Sequence, residues 1–312
     1  MRLRIIIFLV CSYLVIQAQQ NKEPIIDIHL HAYDFINPGI PASWAGEEYA
    51  RVLESPSNAD EHLRLVLEQM RQNHIVLGLT SSNTLKALMK WQHDAPGLFM
   101  GGIQTEGGEP VISTDSLRIL YEEGIVQVLG ELGFQYYGKE PDTPEWEPYY
   151  ALAEELGIPV CLHTGLGPPG GPHSFAPDFR TTLGKPSLFE EVLVRHPDLK
   201  AFLAHAGWPY ITETIALMYI YPNLYTDIGV LTWALPRNAF YAALKQLMDA
   251  GFGKRIMFGS DQMLWPEAIG IAVQTLNEAP FLTEEEKRDI LYDNAARFLE
   301  LSEETINDHH QR

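Results

Sequence analysis

The sequence predicts an α/β protein in which eight parallel strands and eight helices form one closed (β/α)8 barrel. Eight short apolar runs alternate with eight helix-like segments along the 312-residue chain. Nearly continuous apolar runs are typical of parallel strands that are covered on both faces. The length suits such a barrel, which commonly takes about 250 residues. An open doubly wound sheet is the alternative, but no glycine-rich phosphate loop follows the first run.

The individual elements follow from this alternation of patterns. Strands are predicted at residues 24–32, 75–82, 99–106, 126–134, 158–165, 200–207, 224–230 and 255–261. Helices are predicted at residues 60–73, 83–93, 114–123, 145–156, 187–196, 211–220, 237–250 and 266–277. Thr114 and Asp115 stand at the start of the third helix. Pro144 is expected in the first turn of the fourth helix, and Pro186 opens the fifth. A final helix over 283–301 begins at a threonine cap that three acidic residues follow.

Residues 1–18 have the pattern of a secretory signal peptide. Two arginines precede an apolar run over 5–16, and Ala18 is a small residue at the expected cleavage site. The run is shorter than the ~20 apolar residues of a transmembrane helix. Lipid attachment at Cys11 is the alternative. We therefore expect an exported protein, periplasmic or secreted, in which residues 19–312 form a single catalytic domain.

Composition and charge narrow the class of partner. The net charge of −19 argues against nucleic acid, because binding to a duplex requires a basic face. We also expect no membrane insertion once the signal is removed, so the expected partner is a small-molecule substrate. Whether the protein forms a homo-oligomer is left open. Cleavage would leave Cys161 as the single cysteine, and an internal disulfide is then excluded.

Ionisable residues stand at the ends of five of the predicted strands. They are His29 and His31 on the first strand, Glu131 on the fourth, His163 on the fifth, His205 on the sixth and Asp261 on the eighth. In a (β/α)8 barrel these ends meet at one mouth. A single histidine at a strand end is usually a hydrogen-bonding core residue, but this set of imidazoles and carboxylates suits Zn²⁺, Mn²⁺, Fe²⁺ or Co²⁺.

The first strand, "IIDIHLHA", places three polar side chains on one face. Side chains alternate along a strand, so Asp27, His29 and His31 point the same way. We expect the two histidines to bind a divalent metal, most simply zinc, and Asp27 to support them from deeper in the barrel.

These motifs resemble the amidohydrolase superfamily of metal-dependent TIM-barrel hydrolases. The His-x-His of the first strand, the histidines of the fifth and sixth and the "GSD" of the eighth carry the likeness. "FLAHAGW", "FGSDQMLWP" and "LYDNAARFL" are similar to its amidohydrolase-related branch, which holds hydrolases, lactonases and nonoxidative decarboxylases. The resemblance covers residues 24–301. It implies that His29, His31 and Asp261 bind the metal, that His163 is a further ligand, and that His205 is a second-metal ligand or a catalytic residue.

The expected chemistry is hydrolysis of a small ester, lactone or amide. A bound divalent metal lowers the pKa of its water to about 7. Asp261 is then placed to act as general base and afterwards as general acid. A decarboxylase with the same ligands is the alternative, and a non-catalytic binding protein with a vestigial metal site is a third interpretation.

The loops at the mouth supply candidate substrate contacts. The aromatic candidates are Tyr136, Tyr137, Trp208, Trp233 and Trp265, although packing is the commoner role for each. His173 lies in the Gly/Pro-rich stretch over the mouth. Arg180 and Arg237 are candidates for binding a carboxylate, because arginine can form a bidentate fork.

Glu131 decides how many metal ions are expected. It lies in "GELGFQYYG", two residues before Gly133, which leaves room for a close approach. The motif is similar to the "GE-x-G" of deoxyribonuclease-like members of the superfamily, in which the glutamate bridges two metals. The amidohydrolase-related branch usually binds one metal. Both one ion and two ions therefore stay open, as does a glutamate that only hydrogen-bonds to a ligand or substrate.

Overall fold

The computed structural model describes residues 23–46 and 53–312. Eight strands form one sheet, in which all neighbouring strands are parallel and follow one another in chain order. They are β1 (Ile25–His31), β2 (Ile75–Ser82), β3 (Phe99–Ile103), β4 (Val128–Leu132), β5 (Val160–Leu162), β6 (Ala201–Leu203), β7 (Leu224–Asp227) and β8 (Ile256–Met257). The predicted (β/α)8 barrel is confirmed. The predicted signal peptide lies outside the described residues.

Helices follow the strands in turn. They are α1 (Ala59–Asn73), α2 (Leu85–Asp94), α3 (Thr114–Glu122), α4 (Glu147–Leu156), α5 (Glu190–Arg195), α6 (Ile211–Ile220), α7 (Leu231–Ala234), α8 (Arg237–Asp249), α9 (Ala268–Asn277), α10 (Glu284–Arg288), α11 (Asn294–Phe298) and α12 (Glu303–Gln311). Within residues 23–46 and 53–312, no helix combines the length and apolar character that a membrane crossing requires.

Hydrogen bonds between the first and last strand regions close the barrel. The backbone N–H of Ile28 donates to the carbonyl of Phe258 at 2.9 Å, and that of Asp261 donates to the carbonyl of His29 at 2.8 Å. The segment after β8 therefore lies directly beside β1. This contact brings Asp261 next to the two histidines of β1, although more than 200 residues separate them in the chain.

Two buried apolar clusters hold the barrel together. The larger one lies where the strands meet the helices and includes Trp91, Trp146 and Trp233, all almost fully buried. The smaller one joins strand residues such as Ile26 and Phe202 to the C-terminal helical segment. Burial of apolar side chains on this scale is the main favourable contribution to folding.

Several predicted boundaries differ from the structure for local reasons. The predicted strands at 224–230 and 255–261 end early, at Asp227 and Met257, because side-chain hydrogen bonds interrupt the regular backbone ladder beyond those points. Ser260, for example, donates its N–H to the carboxylate of Asp27. The fourth helix begins at Glu147, after Pro144, and carries a different proline in its first turn.

The predicted C-terminal helix at 283–301 is divided into three parts. The predicted threonine cap forms at Thr283 and starts α10, and Glu286 completes it as a capping box. A π-helical stretch, Asp289–Asp293, then separates α10 from α11. The helix α12 was not predicted, although Ser302 followed by two acidic residues is a recognisable N-terminal cap.

Candidate metal centre

The two histidines of β1 are fixed by their backbone as well as by burial. Both are at least nine-tenths buried. The N–H of His29 donates to Oδ1 of Asp27 at 3.1 Å, and the N–H of His31 donates to Oε1 of Gln262 at 3.1 Å. Burial raises the pKa of the Asp27 carboxyl to about 7. Asp27 therefore lies beneath the histidines as a supporting polar group, as the strand alternation predicts.

Asp227, at the end of β7, orients His29 and was missed in the sequence. Its Oδ2 lies 2.7 Å from Nδ1 of His29. Its Oδ1 accepts hydrogen bonds from the backbone N–H groups of His205 and Gly229, both at 2.8 Å. Asp227 is fully buried and can only accept, so Nδ1 of His29 carries the proton and Nε2 presents its lone pair. An acid in the middle of the seventh predicted strand was the available signal.

Asp261 completes the group around the first strand. Its Oδ1 lies 2.9 Å from Nε2 of His31 and 3.8 Å from Nε2 of His29. Its Oδ2 lies 3.9 Å from Nδ1 of His205. Burial raises the pKa of this carboxyl, but the adjacent His29 and His31 lower it by a larger amount. The net shift of the pKa is therefore downward. Asp261 is therefore a buried carboxylate that stays ionised.

Glu131, at the end of β4, lies between two pairs of histidines. Its Oε2 is 3.4 Å from Nε2 of His29 and 3.5 Å from Nε2 of His31. Its Oε1 is 2.9 Å from Nε2 of His205 and 3.9 Å from Nε2 of His163. One carboxylate therefore faces both pairs, with one oxygen toward each pair.

His205 shows the same arrangement of donor and lone pair as His29. Its backbone is left-handed, with φ 61°. Nδ1 lies 3.0 Å from the carbonyl of Gly229, which can only accept, so Nδ1 donates. Nε2 lies 2.9 Å from Oε1 of Glu131, and a proton or a cation must lie between these two atoms. Burial lowers the pKa of His205, but the contacts with Glu131 outweigh it and the net shift is upward.

His163 stands slightly apart from the other ligand candidates. Its Nε2 lies 2.9 Å from the phenol oxygen of Tyr136, within hydrogen-bond distance. Burial lowers the pKa of His163 to about 4, against the raising effect of Glu131, so this imidazole is neutral. Its Nδ1 is buried and finds no hydrogen-bond partner among the described residues.

The donor set fits a divalent cation. Two groups of three candidate ligands have their donor atoms within 4.8 Å of one another, His29 with His31 and Asp261, and His29 with Glu131 and His205. Nε2 of His29 is buried and makes no hydrogen bond within the described part of the chain. Lone pairs that face carboxylate oxygens require a proton or a cation between them. Imidazole and carboxylate ligands of this kind suit zinc and related ions.

A cavity of about 720 Å³ opens above these side chains. His31, Glu131, His163, His205 and Asp261 contribute to its lining. This volume is in the range of small-molecule sites.

The structure brings some predicted substrate residues to this cavity and not others. Tyr136, Tyr137 and Trp208 line it. His173, Arg180 and Arg237 are not among the described residues that line it. Trp233 and Trp265 pack against Trp44, and their indole N–H groups donate to the backbone carbonyls of Ser260 and Ile40.

Sequence reasoning also missed lining residues from the loops. Tyr33, Trp44, Gln104 and Phe175 line the cavity. The side-chain amide of Gln104 lies 3.2 Å from Nδ1 of His31 and so contributes to holding that imidazole. Three of them had a signal in the sequence: Tyr33 follows the His-x-His motif by two residues, Gln104 lies near the end of the third predicted strand, and Phe175 lies in the Gly/Pro-rich stretch. Trp44 lies in a loop without a distinctive pattern.

Comparison with known proteins shows to which family the chain belongs. The family model Amidohydro_2, described as amidohydrolase, matches residues 26–301. The chain belongs to this family. Its members are metal-dependent enzymes, both hydrolases and decarboxylases. Among curated proteins, protein fluG of Emericella nidulans is 25% identical over 161 residues, which is 47% of this chain and 18% of that protein. The match thus spans less than a fifth of that relative's length.

Solved structures share the barrel of this family member. A probable 2-pyrone-4,6-dicarboxylic acid hydrolase from Acinetobacter baumannii, with citric acid bound, has a TM-score of 0.62 at 14% identity, covering 89% of this chain and 99% of that chain. A 2,6-dihydroxybenzoate decarboxylase complexed with 2,6-dihydroxybenzoate has a TM-score of 0.58 at 14% identity, covering 90% and 99%. An amidohydrolase from Burkholderia multivorans with bound zinc has a TM-score of 0.58 at 15% identity, covering 89% and 100%. At these identities the likeness shows the fold alone.

Proposed function

We propose that this protein is an exported, metal-dependent hydrolase of a small ester, lactone or amide. The observation that carries the proposal is the position of Glu131 between two histidine pairs, beside Asp261, at the base of a cavity of about 720 Å³. A buried group of carboxylates and imidazoles at the carboxyl ends of barrel strands is where enzymes of this fold place their chemistry.

The proposed cofactor is a divalent metal, and zinc is favoured. His29, His31 and Asp261 would hold one ion, and Glu131, His205 and His163 would take part in a second site or support the first. The bound zinc of the Burkholderia multivorans amidohydrolase supports this choice of element. When bound, such an ion makes a water molecule more acidic and polarises a carbonyl group.

The side chains of the protein carry out the proton transfers and hold the candidate metal ligands in place. Asp261 accepts a proton from the attacking water and returns it to the leaving group, because its carboxylate is ionised and lines the cavity. His205 either binds metal or stabilises the developing negative charge on the substrate oxygen. Asp227 holds the imidazole of His29 in one tautomer, and Tyr136 forms a hydrogen bond with His163.

Nonoxidative decarboxylation with the same ligands is the second candidate. It is favoured by the barrel that the chain shares with a 2,6-dihydroxybenzoate decarboxylase and with the 5-carboxyvanillate decarboxylase of Sphingomonas paucimobilis. The two reactions differ in their products, since hydrolysis releases acid and decarboxylation releases carbon dioxide.

A substrate panel tests the proposed reaction. Purified, zinc-loaded protein is incubated with neutral lactones, aryl esters and hydroxybenzoic acids while acid release and carbon dioxide release are both recorded. We expect acid release from an ester or lactone, loss of that activity on chelation and recovery when metal is returned. Carbon dioxide release without acid release would identify a decarboxylase. Activity that resists complete metal removal would contradict metal dependence.

Export has its own test. N-terminal sequencing of the protein purified from its native host should give a chain that begins near Gln19. An intact Met1 in a cytoplasmic fraction would contradict the proposed export.

A further inference from the structure

The walls of the cavity carry no basic side chain among the residues that the structure describes there. Apart from the imidazoles at its base, the polar groups of the wall are neutral, as in Tyr33, Gln104 and Tyr136. The charged groups are the carboxylates of Glu131, Asp178 and Asp261. The proposed metal would offset the charges of Glu131 and Asp261 at the base. Away from the base, a negatively charged group of the substrate would meet Asp178 and find no guanidinium or ammonium partner on the described wall.

Three basic residues near the cavity, among those that the structure describes, are turned toward other partners. Arg180 donates to the backbone carbonyls of Pro177 and Phe179, at 3.0 and 2.7 Å. Arg237 pairs with Glu278. Lys139 pairs with Glu109. The sequence-based expectation that Arg180 and Arg237 bind a substrate carboxylate thus finds no support in their positions.

Aromatic and aliphatic groups form the rest of the described wall. Trp44, Tyr137, Phe175 and Trp208 contribute rings, and Leu231 and Leu235 contribute aliphatic surface. Phe175 is 63% exposed, so a large apolar ring stands at the solvent side of the cavity. Such walls favour a substrate with an aromatic or apolar body, since burying a carboxylate without a partner is costly.

We propose that the substrate is a neutral ester or lactone with an aromatic or apolar body and no carboxylate of its own. This inference rests on the proposed hydrolase function and specifies its substrate class. In the reaction water adds to the carbonyl carbon, the bond from that carbon to the leaving oxygen breaks, and the proton from water passes to the leaving alcohol.

A matched pair of aryl esters tests the class. 4-Acetoxybenzamide and 4-acetoxybenzoate have the same ester group and nearly the same shape. The first is neutral and the second carries one negative charge. We expect kcat/KM for the amide-bearing ester to exceed that for the acid by at least tenfold. Leu235→Arg adds a cation to the wall. In this variant the ratio of kcat/KM for 4-acetoxybenzamide to kcat/KM for 4-acetoxybenzoate should fall by at least threefold. Leu235→Gln is the matched control, because it is polar without charge, and its ratio should stay near that of the wild type.

Binding of the phenol products separates this inference from the proposed reaction. The affinities of 4-hydroxybenzamide and 4-hydroxybenzoate for the metal-loaded protein are measured by calorimetry. Tighter binding of 4-hydroxybenzamide, by at least tenfold, supports the proposed substrate class even if neither ester is hydrolysed. In that case the absence of hydrolysis would contradict only the proposed hydrolase function. Equal or tighter binding of 4-hydroxybenzoate, or equal or faster turnover of 4-acetoxybenzoate, overturns the substrate class and leaves ester hydrolysis standing.

Discussion

Oδ2 of Asp227 lies 2.7 Å from Nδ1 of His29, and both side chains are almost completely buried. The same carboxylate accepts from the backbone N–H of His205 through its other oxygen. One side chain at the end of β7 therefore fixes a ligand candidate on β1 and the backbone of another after β6. The two histidines are held in register before any ion or substrate arrives.

The first prediction is that Asp227→Asn weakens metal binding while the fold survives. The asparagine amide can present an N–H to Nδ1 of His29, which would favour the tautomer with its proton on Nε2. Groups that orient metal ligands typically contribute 10–100-fold to affinity. We expect a loss of roughly that size in competition with a chromogenic chelator.

Asp249→Asn is the control for this experiment. Asp249 is an exposed aspartate on α8 that pairs with Lys245, so its variant should bind metal like the wild type. Unchanged affinity in Asp227→Asn, with an intact circular dichroism spectrum, would show that Asp227 does not set the tautomer.

The second prediction concerns Asp261 as the proton carrier. Asp261→Asn should lower turnover by at least ~10²-fold, the lower end of what general acid–base residues supply. Metal content is measured on the same sample, because Asp261 is also a ligand candidate. Asp178→Asn, at the exposed side of the same cavity, should retain turnover of a neutral ester. A metal-loaded Asp261→Asn enzyme with wild-type turnover would remove Asp261 from the mechanism.

The third prediction addresses whether Glu131 bridges two ions. Its two oxygens face different histidine pairs, His29 with His31 and His205 with His163. If it bridges, Glu131→Gln should lower the metal content by about one ion per chain, because the amide is a much poorer ligand. Elemental analysis of both proteins after dialysis gives the answer. A content near one ion per chain in both would contradict bridging and favour a single-metal mechanism.

Much of the site could be predicted from the sequence because its residues sit on the most regular elements. His29 and His31 lie on a strand whose alternation fixes their direction, and Glu131 ends another strand. Asp227 could not be paired with His29 in the same way. Their contact spans 198 positions and depends on barrel closure, which no local pattern encodes.

The loop residues were harder to predict for a different reason. Arg180 lies in a loop and Arg237 is the first residue of α8, and the direction of each side chain depends on its own local contacts. Arg180 is held by carbonyls of its own turn. Trp44 was passed over because the loop after β1 has no periodic pattern, yet it lines the cavity.

The last prediction is an acid sensitivity that comes from His62 on α1. This imidazole is fully buried, and its Nε2 donates to the carbonyl of Met263 at 2.8 Å. Burial lowers the pKa of His62 to about 4. In the unfolded chain the group titrates near its ordinary value of about 6.5. Below that pH the unfolded state binds a proton that the folded state does not, so stability falls as pH drops from about 6.5 toward 4.

His62→Gln should remove this part of the acid sensitivity, since glutamine can donate to the same carbonyl without titrating. Between pH 7.5 and pH 5, the free energy of unfolding in urea should fall by about 2 kcal/mol less in the variant than in the wild type. Both proteins are measured with a chelator present, so that metal release does not contribute. His93→Gln, at an exposed histidine on α2, is the control and should follow the wild-type pH dependence. Equal slopes for His62→Gln and the wild type would show that His62 titrates normally in the folded protein.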